Sequence, residues 1–279
     1  MKKFYILLIS IFAFTSSCTS DSESTTQPDP NLLQRVDFNP NTINEKRWLF
    51  DADGLLIEIT KANGNVIQNF NYDSRNRLIS STIYNDSGSN ETHTFTYSNT
   101  DFVTSVDGVT LNYDATLGAY YTGDLNQSYV LTKINNDRLL VYSKTAFMDE
   151  IDLGVFEEII GNELTVEFTN SNILGYFPNE QCNFLSYDNK TNPLKNATLA
   201  ICRAFSFVPE SRWVYDYCIS DNNVITHRYC LEDPESSVYH YIYNSNNLPQ
   251  TQTSDSYYLG VYENTVTSIN YYYQGDALP

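Results

Sequence analysis

One short unit recurs along this chain and limits its fold more than any other feature. An aromatic residue is followed by Asp, Asn, Ser or Thr, then variable positions, then Gly, Asn or Asp, then an apolar residue. It reads Phe50-Asp51-Ala52-Asp53-Gly54-Leu55 and Tyr72-Asp73-Ser74-Arg75-Asn76-Arg77-Leu78. Looser copies are Tyr97-Ser98-Asn99-Thr100-Asp101-Phe102, Phe168-Thr169-Asn170-Ser171-Asn172-Ile173 and Tyr243-Asn244-Ser245-Asn246-Asn247-Leu248. The aromatic closes one strand on a buried face, and the Asp or Asn side chain opens a tight turn. Gly or Asn then takes the positive-φ position, and the apolar residue starts the return strand. The first aromatic positions, 50, 72 and 97, are 22 and 25 residues apart, which suits one hairpin per repeat.

From Val36 onward the rest of the sequence agrees, with short alternating runs broken by Asn/Asp/Gly clusters. The expected fold is all-β: repeated antiparallel hairpins forming an extended or curled sheet, in one layer or two, with at most one short helix. The helix candidate is Phe147–Ile160, where Ile151, Val155 and Ile159 recur every four residues, although Gly154 and the β-branched residues fit a strand nearly as well. A sub-boundary is expected near 145–165, ahead of a cysteine-bearing part at 180–279. At 279 residues with 14% aromatics, the chain can bury a substantial core.

The N-terminus carries an address. Lys2 and Lys3 precede the apolar run Phe4–Phe14, and Thr15-Ser16-Ser17-Cys18 follows. The run is too short to span a bilayer as an ordinary helix, and the layout is that of a secretory signal peptide over 1–17. Thr15-Ser16-Ser17-Cys18 resembles the lipobox of bacterial lipoproteins, with Thr15 where that pattern prefers Leu. The resemblance implies acylation of Cys18 and a membrane partner reached through that lipid. Residues 18–34, rich in Ser, Thr, Asp and Pro, form a flexible tether, leaving 35–279 as the β-rich domain. Ser20-Asp21-Ser22-Glu23 resembles the acidic export signal of surface-displayed Bacteroidota lipoproteins. It implies an outer-membrane protein facing the exterior; a spacer facing the periplasm is the alternative.

The motif Tyr72-Asp73-Ser74-Arg75-Asn76-Arg77-Leu78 resembles the YD repeat of Rhs-type proteins, with Asn76 in place of Gly. Tyr187-Asp188-Asn189-Lys190-Thr191-Asn192-Pro193 resembles a turn of uncharacterised Bacteroidota lipoproteins with degenerate repeats of this kind. The resemblance implies a β-rich extracellular protein and no particular chemistry.

Four further cysteines, Cys182, Cys202, Cys218 and Cys230, fall in the last third of the chain. An even number in an exported chain suggests two disulfides, with three connectivities open. Proximity in sequence favours Cys182–Cys202 with Cys218–Cys230. If Asp221-Asn222-Asn223 is a tight hairpin turn, however, Cys230 lies roughly 13 Å beyond the residue opposite Cys218.

Charge excludes one class of partner. With 16 Lys+Arg against 34 Asp+Glu, a net charge of −18 repels phosphate, so no nucleic-acid partner is expected. No metal or cofactor is expected either. Asp51-Ala52-Asp53-Gly54 fails as a calcium loop because Leu49 and Thr60 would occupy its first and last ligand positions. His93, His227 and His240 are scattered, and H-E-x-x-H, G-x-S-x-G and Gly-rich phosphate loops are missing from the sequence. The adjacent acids Asp149-Glu150 and Glu157-Glu158 point in different directions and cannot face each other across a glycosidic bond. A non-enzymatic binding or interaction protein is the expectation, with no catalytic residue assigned. A glycan-binding accessory protein is the first alternative and a glycoside hydrolase a more distant one.

The candidate contacts to a glycan or a surface protein are Tyr239, Tyr241 and Tyr243, which share one strand face, together with Tyr272. Strand alternation forces at least one ring of Tyr271-Tyr272-Tyr273 to the opposite side from its neighbours.

Overall fold

The computed structural model describes residues 28–279 apart from 87, 100–102, 115–118, 125–127, 135–137, 145–162, 170–171, 178–181, 206–219 and 231–234, and describes the backbone alone between 114 and 184 and at 202, 203, 205, 229 and 230. Cys18, the helix candidate Phe147–Ile160 and Cys218 lie outside the described residues, as do parts of the repeat copies at 97–102 and 168–173.

The described residues form nineteen strands and one helix. The N-terminal strands are β1 (Leu33–Phe38), β2 (Lys46–Phe50), β3 (Leu56–Lys61), β4 (Val66–Tyr72), β5 (Leu78–Tyr84), β6 (Asn90–Tyr97), β7 (Val103–Val106), β8 (Val109–Thr110) and β9 (Asn112–Asp114). The middle ones are β10 (Ala119–Asp124), β11 (Ser128–Ile134), β12 (Arg138–Lys144), β13 (Glu163–Thr169), β14 (Asn172–Phe177) and β15 (Cys182–Thr191). Helix α1 (Leu194–Phe205) comes next, then β16 (Asn222–Cys230), β17 (Glu235–Tyr243), β18 (Pro249–Tyr258) and β19 (Val261–Tyr273).

Each strand pairs antiparallel with its successor, except that β8 runs into β9 through Leu111, whose N–H donates to the Thr104 carbonyl at 2.8 Å. β1 lies between β2 and β19, with Val36 opposite Trp48 on one side and Tyr271 on the other. The first and last strands of the meander therefore pair, within a single antiparallel sheet that is not closed into a barrel.

The repeat turns are built as their residues require. Asp73 Oδ1 accepts the N–H groups of Arg75 and Arg77 at 2.9 and 3.0 Å, and the Asp73 N–H returns a bond to the Arg77 carbonyl. Asp51 does the same for Asp53 and Leu55, and Asn244 for Asn246 and Leu248. Gly54, Asn76 and Asn247 occupy the left-handed position, with φ of 78°, 59° and 61°.

The repeat aromatics tie consecutive turns together. The Tyr72 hydroxyl donates to the Leu56 carbonyl at 2.6 Å, and Tyr97 to Leu78 at 2.9 Å. Arg77, ion-paired to Asp73, also lies over the Tyr97 ring at 4.7 Å. The repeats that begin at Tyr72 and Tyr97 are thus each pinned to the one before.

The core holds Val36, Phe50, Leu56, Phe70, Leu78, Phe95 and Ile269, together with one face of α1: Leu194, Ala197, Ile201 and Ala204. The helix lies against β5. Asn192 caps it, its Oδ1 accepting the Leu194 N–H at 3.0 Å, and Pro193 pre-sets the first turn. The expected tight turn at 221–223 is not formed. Asn222 already opens β16 opposite Thr191 of β15, because Asn222 and Asn223 are held to that strand by bonds to the Lys190 carbonyl and the Asp188 carboxylate.

Candidate functional site

Strands β15 to β19 enclose a cavity of about 400 Å³ on the core-facing side of the sheet, within the roughly 300–1,000 Å³ of small-molecule sites. Its floor is a small grid set by strand register. Ser237, Tyr239 and Tyr241 of β17 stand opposite Ser256, Ser254 and Gln252 of β18. The same β18 residues lead on to β19, where Ser254 pairs with Thr267 and Gln252 with Ile269. An aromatic column thus lies beside a column of hydroxyl and amide groups, with opposite residues about 4.5–5.5 Å apart.

The polar side chains of this floor differ in what they already hold. Gln252, 3% exposed, accepts the Tyr271 hydroxyl on Oε1 at 2.8 Å, while its Nε2 makes no hydrogen bond within the described chain. Ser254, 6% exposed, likewise keeps an uncommitted hydroxyl. Neither atom is sealed from solvent, since Gln34 Oε1 is the one fully buried and unbonded side-chain atom among the described residues. Both groups therefore open into the cavity they line. The Tyr241 hydroxyl, by contrast, is committed to the Val224 carbonyl at 3.0 Å, and burial pushes its pKa far above that of a free phenol.

Asp188 holds the back of the site. It accepts from the Tyr243 hydroxyl, from the Asn223 N–H at 3.2 Å and from the Lys190 N–H at 2.9 Å. Asn223 itself lines the cavity, so Asp188 fixes β16 and β17 to β15 behind it. Burial, then the hydrogen bond to Asp188, raises the Tyr243 phenol above its ordinary value. His227 lines the far wall, and burial lowers its imidazole from the ordinary 6.5. Glu235 sits exposed at the rim.

Tyr239 and Tyr241 thus line the cavity, and Tyr243 stands behind it, stacked on Tyr241 with ring centroids 5.7 Å apart. Tyr272 lies elsewhere. Tyr271 and Tyr273 are buried, and Tyr272 points away from them to pack on Arg35 at 4.9 Å, where Arg35 is ion-paired to Asp37. Gln252 and Ser254 escape a search for aromatics. Their signal is the in-phase spacing of Gln252, Ser254 and Ser256 against Ser237, Tyr239 and Tyr241.

Cys182 and Cys230 occupy opposite positions of β15 and β16. His93 is buried beside Phe95 and meets Asp107 through Nδ1 at 2.9 Å, and His240 is exposed on the other face of β17, near Asp255.

Residues 50–89 match the family model of the RHS repeat, a span that includes the copies of the turn unit at 50–55 and 72–78. No curated protein matches the chain. Among solved structures, a porin-like protein from Bacteroides uniformis aligns over 88% of this chain and 98% of its own, at 10% identity and a TM-score of 0.36.

Proposed function

We propose that this chain is a non-enzymatic interaction protein of the cell envelope, held by a lipid on Cys18, that recognises its ligand in the β15–β19 cavity. The cavity carries the reading: its size, aromatic wall and uncommitted polar groups are those of a recognition site. The RHS repeat over 50–89 supports an extracellular setting. The basic start, apolar run and Cys18 support an outer-membrane anchor, and Ser20-Asp21-Ser22-Glu23 supports display toward the exterior rather than the periplasm. Among the described residues that line the cavity, Glu235 is the one carboxylate, whereas hydrolysis by paired carboxylates needs two.

The test is hydrogen exchange on the exported chain, with the soluble carbohydrate and protein fractions of the producing cell's envelope added separately. One fraction should slow exchange in β17 and β18. Unchanged exchange with both would overturn the reading. For the anchor, Cys18→Ala should move the protein from the membrane to the soluble fraction, and protease added to intact cells should remove the wild-type protein.

A further inference from the structure

We infer that the β15–β19 cavity takes an uncharged saccharide, with a sugar ring against Tyr239 and its hydroxyls met by Gln252 Nε2 and Ser254 Oγ. This rests on the preceding reading of the cavity as the recognition site and specifies what enters it.

Three observations select this chemistry. First, no Lys or Arg lies among the described residues that line the cavity, and the chain as a whole is strongly acidic. A phosphate or carboxylate would lose its water here without gaining a counter-charge from a described lining residue. His227, the one basic side chain among the described lining residues, has its charged form disfavoured by burial. Second, a cation finds little better, since Glu235, the one carboxylate among the described lining residues, is exposed at the rim.

Third, the floor offers neutral groups in a pattern suited to a pyranose. A sugar has an apolar face of C–H groups and an edge of hydroxyls, each both donor and acceptor. Tyr239 supplies the flat apolar surface, and Ser254 stands directly opposite it across the β17–β18 pair. Gln252 follows two residues along, with its oxygen occupied by Tyr271 and its N–H groups available. A buried amide left unpaired is costly, so a ligand hydroxyl that accepts from it is favoured over one that cannot.

The experiment is calorimetric titration of the exported chain with glucose, galactose, mannose, N-acetylglucosamine and their short oligomers. Glucuronate and glucose 6-phosphate serve as charged counterparts. At least one neutral sugar should bind at concentrations up to about 10 mM, with its charged counterpart at least tenfold weaker. Ser254→Ala removes a hydroxyl that makes no hydrogen bond among the described residues, so it should leave stability close to wild type. Gln252→Glu keeps the oxygen that Tyr271 needs and exchanges the N–H donors for an acceptor. Each should weaken the neutral sugar about tenfold, as expected for one ligand hydrogen bond.

Equal or tighter binding of the charged sugars would overturn the inference, as would neutral binding untouched by both substitutions. If no neutral sugar binds while the envelope protein fraction still protects β17 and β18, the saccharide falls and the recognition site stands. If neither fraction protects these strands, both fall together.

Discussion

Replacing Asp73 tests the turn logic on which the whole meander depends, because two substitutions separate its two tasks. Oδ1 holds the N–H groups of Arg75 and Arg77, and Oδ2 pairs with the Arg77 guanidinium at 2.7 Å. Asp73→Ala loses both. Two amide hydrogen bonds at about 1 kcal/mol each, with about 0.5–1 kcal/mol for a partly screened ion pair, give a loss of about 2–3 kcal/mol. Asp73→Asn keeps the amide bonds, as Asn244 does in the turn at 244–248, and should cost only the ion pair, about 0.5–1 kcal/mol.

The ion-pair part also depends on pH. Partial burial alone would raise the Asp73 carboxyl, but the hydrogen bonds from Arg77 and from the turn amides outweigh it and hold it below 3.8. A depressed carboxyl stabilises the fold above its unfolded value and loses that contribution as pH falls through the folded one. The gap between wild type and Asp73→Asn should therefore be full at neutral pH and narrow on acidification toward the depressed value. Urea denaturation of the three proteins at pH 7, repeated at pH 3, measures all of this. An Asp73→Asn variant as unstable as Asp73→Ala, or a gap that ignores pH, would refute the reasoning.

Other substitutions probe neighbouring links. Tyr72→Phe deletes the hydroxyl that reaches Leu56 and should cost about 1 kcal/mol in the same urea assay. Asn76→Ala forces a side chain with no local hydrogen bond into the left-handed region and should cost about 1–2 kcal/mol, whereas Asn76→Gly should be neutral or better. Ile201→Ala, at a core position of α1 that is 1% exposed, should cost about 2–5 kcal/mol and show whether the helix is integral to the sheet's core. His227 has a lowered folded pKa, so wild-type stability should fall as pH drops below 6.5, and His227→Gln should flatten that part of the profile.

The turns were legible in the sequence because their geometry is local. Aromatic, Asp or Asn, and a positive-φ residue form the same bonds at Asp51, Asp73 and Asn244 wherever the chain places them. The helix was not legible on the same terms. Leu194, Ala197, Thr198, Ile201 and Ala204 have helical spacing, but three of the five are small or polar and give a weak apolar stripe. The clearer sign was Asn192-Pro193, a cap followed by a first-turn proline. Half of the site was legible for a related reason. Tyr239 and Tyr241 stand out as aromatics in phase, whereas Gln252 and Ser254 lie in the run Pro249–Ser256, which looks polar on both faces. Their burial comes from β17 and β19 on either side, a tertiary effect that strand alternation alone does not report.

The position of the cavity goes with a YD unit, Tyr187-Asp188, that departs from the rule of the turns at Asp51, Asp73 and Asn244. In the regular turns the Asp or Asn oxygen takes the N–H groups two and four residues on, and the chain must then reverse. Asp188 takes the N–H of Lys190, two residues on, but its second backbone bond comes from Asn223 on the neighbouring strand. The N–H four residues on, that of Asn192, goes to the Asp221 carbonyl instead. Freed from the turn, Asn192 caps α1, and the chain enters the core as a helix before returning as β16. The same carboxylate then anchors Tyr243, behind the pocket, and Asn223, which lines it. A repeat that closed normally at Asp188 would send the chain straight into a neighbouring strand and leave no helix at the mouth of β15 and β16. In this chain the repeats build the frame, and the interrupted unit at Asp188 stands behind the candidate site.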